Sequence, residues 1–336
     1  MTYLLGVDGG NSKTIAVVGD DGGQILGLAR AGSSNHQGLG LTEAMDRIRG
    51  AALAAMRMAG VEPEQVAGAY CCLAGADLPS DFALLRPALR DLGLAQDIDL
   101  NNDSIASLRA GTDNPNAVCV ALGAGTVAVG RNAAGQEIRL PALGWISGDW
   151  GGGGDLAREA IWYTVRMHDG RGEPTMLHDM VLRALDVPDG DVLIERLYHR
   201  QIGHDTIVHL APLVFEAAEA GDRVARDLIE RSGVEVAVTA RALLRRLGLI
   251  EIPADVVLGG SIFRGQGPLL IDTVRARLSE FAPLARMILL DVDPVLGSFF
   301  CAMDLLDIRV DEQVRRKAKE TYMNLSTRMV REVALR

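Results

Sequence analysis

Residues 3–27 read YLLGVDGGNSKTIAVVGDDGGQILG, and this stretch decides the fold. Apolar runs at 4–7 and 15–18 flank a polar turn at 8–14, and a second turn leads to a third short run. Short apolar runs separated by glycine-containing turns predict three antiparallel strands. The first turn combines Asp, Asn, Ser, Lys and Thr between two buried-type strands, which favours a binding role; an ordinary solvent turn is the alternative.

The same layout returns at residues 117–138, which read AVCVALGAGTVAVGRNAAGQEI. Setting Gly9 over Gly123 separates the two copies by 114 residues and puts Thr14 near Ala128. An internal repeat of this kind predicts two domains built from one ancestral unit, and two similar hairpins by coincidence are the alternative. The 336 residues agree with two domains, because a single core rarely grows past about 250–300 residues.

Helical spacing and apolar runs alternate through the rest of the chain. Helices are predicted over 41–59 (with Gly60 as C-cap), 81–92, 104–110, 155–168, 268–278 and 311–336, with a mainly helical stretch over 175–247. Strands are predicted over 66–74, 98–100 and 256–258. The predicted fold class is α/β, with mixed sheets flanked by helices.

The charge balance argues against a nucleic-acid or membrane-surface binder. The 34 Lys and Arg face 44 Asp and Glu, which gives a net charge of −10, and only three of the basic residues are lysines. Nucleic acids and anionic membranes bind concentrated positive charge, which this chain does not offer. We therefore expect neither kind of partner.

Membrane insertion and secretion are also not expected. The longest uncharged stretch, 114–130, is 17 residues interrupted by Pro, Asn and Gly, which is too short and broken to span a bilayer. The N-terminus lacks the basic region of a signal peptide. The four cysteines, Cys71, Cys72, Cys119 and Cys301, show no CxxC spacing and look like small core residues. These features predict a soluble, reduced, cytoplasmic protein.

Three glycine-containing turns are candidate contacts for phosphates and a nucleotide. Backbone N–H groups in the turn 8–14 can point at an anion, and the turn 123–126 matches it in the second copy. The turn 259–261 follows a predicted buried strand, and its bare glycine backbone would let a nucleoside pack closely. None of the turns is GxGxxG or GxxxxGK[ST], so a Rossmann or P-loop site is disfavoured.

These motifs resemble those of the actin/sugar-kinase/heat-shock ATPase superfamily. GVDGGNSKT (6–14) is similar to its first phosphate motif, ALGAGT (121–126) to its second and VVLGGS (256–261) to its adenosine motif. Within that superfamily the chain resembles the N-acetylglucosamine kinase and BadF/BadG/BcrA/BcrD ATPase family. The further matches are SSNH (33–36), NDSIASLRAG (102–111) and GWISGDWGGGGDLAREA (144–160).

The resemblance implies two actin-like (ribonuclease H-like) domains with ATP in the cleft between them. The N-terminal domain, 1–113, would contact sugar and phosphates, the C-terminal domain, 114–310, would bind the nucleotide, and 311–336 would form a terminal helix. The implied cofactors are ATP and Mg²⁺, and the implied partners are a small amino sugar and a second copy in a homodimer.

The site residues follow from the resemblance and the glycine turns. Asp8 would hold Mg²⁺, and Asp103 would be the base for the acceptor hydroxyl. The nucleotide would contact Gly9, Gly10, Asn11, Ser12, Lys13, Thr14, Gly123, Ala124, Gly125, Gly259, Gly260 and Ser261. The sugar would contact Asn35, His36, Asp103, Thr126, Gly144, Trp145 and Asp149.

Several residues have a structural alternative. Asp103 could be only the N-cap of the helix that it opens, and Asp149 a cap for the following helix. Trp145 and Trp150 could stack on a sugar or simply cover the core. The sequence also departs from the family pattern: Ala124 stands where a Thr is usual, and the loop after Trp145 is two residues short.

Three function classes remain at this point. The first is ATP-dependent phosphorylation of an amino sugar, N-acetylglucosamine or glucosamine, at a primary hydroxyl. The alternative is a BadF-type ATPase that activates an iron–sulfur reductase or dehydratase, which needs cysteines placed to ligate a cluster. The third is a nucleotide-binding regulator without turnover, whose mark would be loss of the base.

Overall fold

The computed structural model describes residues 1–264 and 267–334. The chain divides into two compact units: residues 1–113 together with 290–336 form the first, and residues 114–289 form the second. Each unit contains one five-stranded sheet with helices packed on it. The predicted α/β class with mixed sheets flanked by helices is therefore confirmed.

The sheet of the first unit begins with the predicted meander. Its strands are β1 (Tyr3–Gly9), β2 (Thr14–Asp20), β3 (Ile25–Ala31), β4 (Val66–Leu73) and β5 (Asp97–Asn102), in the order β3-β2-β1-β4-β5. β1 pairs antiparallel with β2, and β1, β4 and β5 run parallel. Parallel strands joined through helices require a crossover, and the chain between β1 and β5 supplies it.

Helices of residues 1–113 follow the predicted pattern. They are α1 (His36–Leu39), α2 (Leu41–Ala59), α3 (Pro79–Arg90) and α4 (Asp103–Gly111). The predicted helix over 41–59 is confirmed at both ends, and Gly60 caps it in the left-handed conformation with φ 67°. Its buried stripe, which includes Ile48 and Met56, packs with Leu5 and Val7 of β1 in one core.

The second unit repeats the topology of the first. Its strands are β6 (Ala117–Leu122), β7 (Thr126–Arg131), β8 (Glu137–Arg139), β9 (Ala254–Gly259) and β10 (Ala285–Leu289), in the order β10-β9-β6-β7-β8. A three-strand meander followed by two parallel strands is the arrangement of the first sheet, so the predicted repeat is confirmed. The first turn is one residue shorter here, so Thr126, not Ala128, takes the place of Thr14.

Helices dominate the middle of the second unit. They are α5 (Gly153–His168), α6 (Leu177–Ala184), α7 (Gly190–Tyr198), α8 (His204–Val208), α9 (Ala211–Glu219), α10 (Arg223–Arg246) and α11 (Pro268–Phe281). The long α10 packs on β6 and β7, and α11 packs on α10. Together with the strands they enclose one large apolar core.

The chain returns to the first unit at residue 290. The two last helices, α12 (Val295–Leu305) and α13 (Glu312–Ala334), pack on the first sheet. The sequence placed residues 290–310 in the second domain and treated 311–336 as separate, whereas the structure groups all of them with residues 1–113. The last two residues of the predicted terminal helix lie outside the described residues.

Close backbone contact explains this grouping. The backbone of α12 lies so near β1 that a Cβ built on Gly6 would be 2.4 Å from the Phe299 nitrogen. On its other side, a Cβ on Gly297 would be 1.8 Å from the Ala106 carbonyl oxygen of α4. The apolar sequence of α12 predicts burial but does not indicate which sheet it covers.

An ion pair with a buried guanidinium joins the same helices. The guanidinium of Arg109 in α4 donates to both carboxylate oxygens of Asp304 in α12, at 2.6 and 2.9 Å. Asp113 pairs with Arg109 and with Arg315 of α13. Two hydrogen bonds in a fork geometry fix the relative orientation of the two side chains as well as pairing their charges, so the pair holds α12 against α4.

None of the helices in residues 1–264 and 267–334 combines the length and the apolar character that a membrane span requires.

The contact between α12 and α4 predicts opposite effects for one substitution at two helical glycines. Gly297→Ala would force a methyl group into the Ala106 carbonyl, and overpacking of this kind costs about 1–3 kcal/mol. Gly50 lies on the exposed side of α2 with nothing within 4 Å of a built Cβ, so Gly50→Ala should stabilise by about 0.5–1 kcal/mol. Urea unfolding of both variants measures this, and an unchanged midpoint for Gly297→Ala would contradict the packing described.

Candidate active site

The carboxyl ends of the parallel strands in the first unit gather the polar residues. Gly9 at the end of β1 is paired with Leu73 of β4, and Leu73 is paired with Asn102 of β5. Asp8 and Asp103 are therefore at the same edge of the sheet, where ligands of open α/β sheets bind. The resemblance implied that both residues belong to one site.

Three carboxylates interact at this edge. Asp8 is partly buried, and its pKa is raised to about 8, first by loss of hydration and then by the negative charges of Asp293 and Asp103. Lys13 lowers this pKa by a smaller amount. Asp293 precedes α12, whose helix covers the face of the sheet to which Asp8 belongs. These surroundings favour the protonated form of Asp8 in the absence of a cation.

This donor set fits a magnesium ion held jointly with a nucleotide. Among residues 1–264 and 267–334, no three His, Cys, Asp or Glu side chains are close enough to hold a metal by themselves. Mg²⁺ in phosphate-transfer sites is usually bound through one or two carboxylates plus phosphate oxygens. A cation would stabilise the ionised form of a carboxylate whose pKa is raised as that of Asp8 is, and Asp8 is the residue that would hold the ion.

The turn after β1 is tied down at its base and exposed at its tip. The Gly10 N–H donates to the Lys13 carbonyl at 2.8 Å, and the buried Thr14 hydroxyl donates to the Gly32 carbonyl at 2.8 Å. These two groups serve the turn itself. Asn11, Ser12 and Lys13 are exposed, so the tip of the turn is the part accessible to an anion.

The SSNH segment lies against this turn. Asn35 donates from its side-chain amide to Asn11 Oδ1 at 2.6 Å and accepts the Gln37 N–H at 2.9 Å, which caps α1. His36 Nε2 lies 3.8 Å from Asp81 Oδ1. The structure therefore joins the predicted sugar residue Asn35 directly to the predicted phosphate turn. We did not anticipate that hydrogen bond from the sequence.

The capping explanation for Asp103 is wrong. The N-cap of α4 is Asn102, whose side-chain oxygen accepts the Ser104 N–H at 3.1 Å. Asn102 also donates to Asp77 Oδ1 at 2.9 Å. Asp103 is the first residue inside the helix and is half-buried, so the helix does not require its carboxylate as a cap.

The second glycine turn is clamped by the start of α5. The N–H groups of Gly153 and Gly154 donate to the carbonyls of Gly123 and Ala124, each at 2.8 Å. Thr126 is buried, and its hydroxyl lies 3.5 Å from the Trp150 carbonyl. The tip of the turn, Ala124 and Gly125, is exposed. The structure thus brings the predicted phosphate turn and the Gly-rich loop together within the second unit.

The third turn follows β9 as predicted. Gly259 ends the strand, and Ser261 starts a short 3₁₀ helix, Ser261–Phe263. Gly260 has φ 95°, and a Cβ there would be 2.1 Å from the Leu122 carbonyl oxygen. Only glycine fits this position, so the end of β9 can lie directly beside the end of β6.

The loop with the predicted sugar residues of the second unit is folded on itself. Gly144 starts a 3₁₀ helix, Gly144–Ser147, and its carbonyl accepts the Asp149 N–H at 3.1 Å. The Ser147 hydroxyl donates to the Asp149 carboxylate. The N-cap of α5 is Gly152, so Asp149 is not the cap of that helix. Trp145 is 77% exposed and does not cover the core, whereas Trp150 packs against it.

All four cysteines are buried, and none of them forms a disulfide. Burial raises the pKa of Cys71 to about 12 and raises that of Cys72 well above its usual range. Cluster ligands must be thiolates, so these positions are poor candidates for an iron–sulfur cluster. The sequence-based interpretation of the cysteines as core residues agrees with this burial.

Sequence reasoning missed two contributors. Asp293 stands in the segment DVDP before an apolar helix, and only that Asp-Pro start offered a signal. Asp155 accepts the N–H groups of Gly151 and Gly152 at 3.1 and 3.2 Å and so holds the Gly-rich loop. An acidic residue three positions after a helix start is the recognisable part of that pattern.

Comparison with known proteins gives a consistent picture. The model of the BadF/BadG/BcrA/BcrD ATPase family matches residues 5–302. The chain is 25% identical over 307 residues to the N-acetylmuramic acid/N-acetylglucosamine kinase of Clostridium acetobutylicum, covering 91% of this chain and all of that protein. It is 26% identical over 248 residues to the N-acetyl-D-glucosamine kinase of Dictyostelium discoideum, covering 72% and 77%.

Solved structures show the same fold. A provisionally assigned N-acetylglucosamine kinase from Chromobacterium violaceum matches with a TM-score of 0.66 at 23% identity, over 89% of this chain and 98% of that one. A ROK family glucokinase from Streptomyces griseus, in complex with glucose and AMPPNP, matches with a TM-score of 0.57 at 18% identity, over 90% and 99%.

The raised pKa of Asp8 predicts a pH-dependent stability in metal-free buffer. Between about pH 4 and pH 8 the folded state binds a proton at Asp8 that the unfolded state has lost, so stability falls as pH rises. Asp8→Asn removes this dependence. Relative to wild type, the free energy of unfolding of the variant should rise by about 1.4 kcal/mol for each pH unit between about pH 4 and pH 8. It should not rise further above about pH 8. Urea unfolding from pH 5 to 9 measures the difference, with Asp97→Asn as control; a gap that stays constant with pH would refute the shift.

Proposed function

Since the chain belongs to the BadF/BadG/BcrA/BcrD ATPase family, we propose that it is an ATP-dependent sugar kinase. Its substrate would be an amino sugar, N-acetylglucosamine or glucosamine, phosphorylated at a primary hydroxyl. The observation that carries the proposal is the interaction of the Asp8 and Asp103 carboxylates beside the turn at Gly10–Lys13. Both curated relatives described above are kinases of N-acetylated amino sugars by name, which supports this choice of substrate.

Asp8 would hold Mg²⁺ together with the phosphates of ATP. Bound there, the ion supplies charge stabilisation for the transferred phosphoryl group. The chain contributes the carboxylate and the exposed turn residues Asn11, Ser12 and Lys13. Only Lys13 in that turn carries a positive charge, so backbone and hydroxyl donors would make the remaining phosphate contacts.

Asp103 would act as the base. A carboxylate at the carboxyl edge of the sheet can orient a sugar hydroxyl and accept its proton as the bond to phosphorus forms. The cap of α4 is Asn102, and Asp103 is the first residue of the helix. In-line transfer needs positioning more than covalent chemistry, and the strand end and helix start on either side of Asp103 give it a fixed backbone.

The sugar contacts in the first unit would come from Asn35 and His36. The amide of Asn35 is already oriented by Asn11 and by the α1 backbone, so it offers a fixed hydrogen-bonding group. In the second unit, Asp149 would accept from a sugar hydroxyl, and Thr126, Gly144 and Trp145 would line the same region. Short carboxylates and amides define the direction of a hydroxyl well.

The second unit would also contact the nucleotide. We propose phosphate contacts at Gly123, Ala124 and Gly125, whose turn is fixed by α5. The nucleoside would pack on the turn Gly259, Gly260 and Ser261, which becomes exposed at Ser261. In the first unit, Gly9, Gly10 and Thr14 would hold the base of the turn. The Gly10 N–H and the Thr14 hydroxyl donate to carbonyls of the protein, so the direct nucleotide contacts would come from the exposed tip.

The activator alternative is not favoured. An iron–sulfur activator must present cysteine thiolates to a cluster, whereas all four cysteines here are buried. The acidic balance agrees with a small-molecule partner rather than a nucleic acid or a membrane surface. We further propose that the kinase acts in the cytoplasm as a homodimer.

An assay of ADP release over a panel of sugars tests the proposal. We expect turnover with N-acetylglucosamine or glucosamine and at least tenfold lower kcat/KM with glucose.

Asp103→Asn should lower kcat by about 10²–10⁴ on every sugar and leave ATP binding, measured by calorimetry, intact. Asp97→Asn, the same change at the exposed start of β5, should stay within twofold of wild type. A folded Asp103→Asn protein that keeps more than a tenth of the turnover would falsify the base assignment.

A further inference from the structure

All three tryptophans of the chain line one cavity in the second unit. Trp145, Trp150 and Trp162 line an open cavity of about 600 Å³. Aromatic residues make up only 4% of this chain, so their convergence is not a by-product of an aromatic-rich core. A concave site of this size with large rings and a few polar groups is typical of small-molecule binding.

The polar groups of the cavity are paired and fixed. The guanidinium of Arg231 lies 3.8 Å above the Trp150 ring centroid, and its Nη1 is 3.4 Å from Glu159 Oε1. Arg158 pairs with Asp155, which in turn holds the backbone of the Gly-rich loop. These contacts restrict the polar side chains of the cavity before any ligand binds.

The charge of the lining is balanced. Arg158 and Arg231 contribute two positive charges, and Asp155 and Glu159 contribute two negative charges. An anion would need an excess of positive charge, and a cation an excess of negative charge. Aromatic faces combined with fixed, mutually neutralised hydrogen-bonding groups suit a neutral ligand with many hydroxyls.

The cavity extends away from the loop that carries Asp149. Trp145 and Trp150 lie on either side of Asp149 in the chain, while Trp162 belongs to α5. Asp149 itself is not among the lining residues. The volume of about 600 Å³ lies within the ~300–1,000 Å³ typical of sites for drug-sized ligands, so the cavity has room for a second ring beside a monosaccharide bound at Asp149.

We propose that the three-tryptophan cavity binds a neutral saccharide ring linked to the amino sugar that is phosphorylated, so that disaccharides are acceptors. The inference rests on the proposed kinase function for the role of Asp149. A second copy of this chain is the competing occupant, because Trp, Tyr and Arg are enriched at protein interfaces. The carboxylates of Asp155 and Glu159, residue types that are depleted there, favour the sugar.

Intrinsic fluorescence tests the cavity without any turnover. Because all three tryptophans line the cavity, the tryptophan emission of the whole protein reports its occupancy. We expect N,N′-diacetylchitobiose to change the emission with a Kd at least tenfold below that of N-acetylglucosamine. Equal Kd values, or tighter binding of N-acetylmuramic acid than of the disaccharide, would overturn a neutral second subsite.

Variants separate the cavity from the catalytic site. Trp162→Ala should raise the ratio of the disaccharide KM to the N-acetylglucosamine KM at least tenfold. Trp162→Phe, which keeps an aromatic ring, should have a ratio close to that of wild type. A merely structural role would raise both KM values together and leave the ratio unchanged. Tyr198→Ala, which removes an 82% exposed ring outside the cavity, is the matched control and should leave the ratio unchanged.

The two proposals fail in different ways. If N-acetylglucosamine is phosphorylated but the disaccharide binds no more tightly, the cavity proposal is wrong and the kinase stands. If the disaccharide binds tightly and no sugar is phosphorylated, the kinase proposal is wrong and the saccharide site stands. Loss of a dimer in Trp162→Ala with an unchanged KM ratio would assign the cavity to a subunit interface instead.

Discussion

The proposed chemistry depends on one electrostatic constraint, the gathering of Asp8, Asp103 and Asp293 at the carboxyl edge of the first sheet. Loss of hydration and mutual repulsion raise the pKa of Asp8 to about 8, so the site is unfavourable in the absence of a counter-charge. The fold tolerates this arrangement because α12 and α4 are fixed by backbone contact and by the Arg109–Asp304 pair. The folded state is therefore less stable when no counter-charge is bound at this site, and the proposed metal and nucleotide would restore that stability.

The two units show how one topology serves two roles. Each places a glycine turn after its first strand and a parallel strand beside it. In the first unit the turn is bordered by carboxylates and by Asn35, which suits phosphoryl transfer. In the second unit the turn is clamped by Gly153 and Gly154 of α5, which suits positioning of a nucleotide. Fold alone does not determine either function; the side chains around each turn do.

Much of the fold was predictable from local patterns. The meander, its repeat and the helix α2 follow from the spacing of apolar residues and from Gly60. β10 was missed because it is five residues long and only half-buried, so it carries little periodic signal. The partner of α12 was missed because nearly every residue from Val295 to Met303 is buried, and such a helix does not indicate which surface it covers.

The site was predictable to a similar extent. The glycine turns and Asp103 follow recognisable strand ends, so their positions could be predicted. The proximity of Asp293 to Asp8 could not, because it depends on the packing of residues 290–305 against the first sheet. The tryptophan cavity could not either, because it depends on how α5 packs against α10. The most direct test of the account is the proton release on binding of Mg²⁺–AMPPNP at pH 7, measured by calorimetry in buffers of different ionisation enthalpy. If Asp8 holds the ion, wild type should release about one proton more than Asp8→Asn. Equal proton release by the two proteins would contradict it.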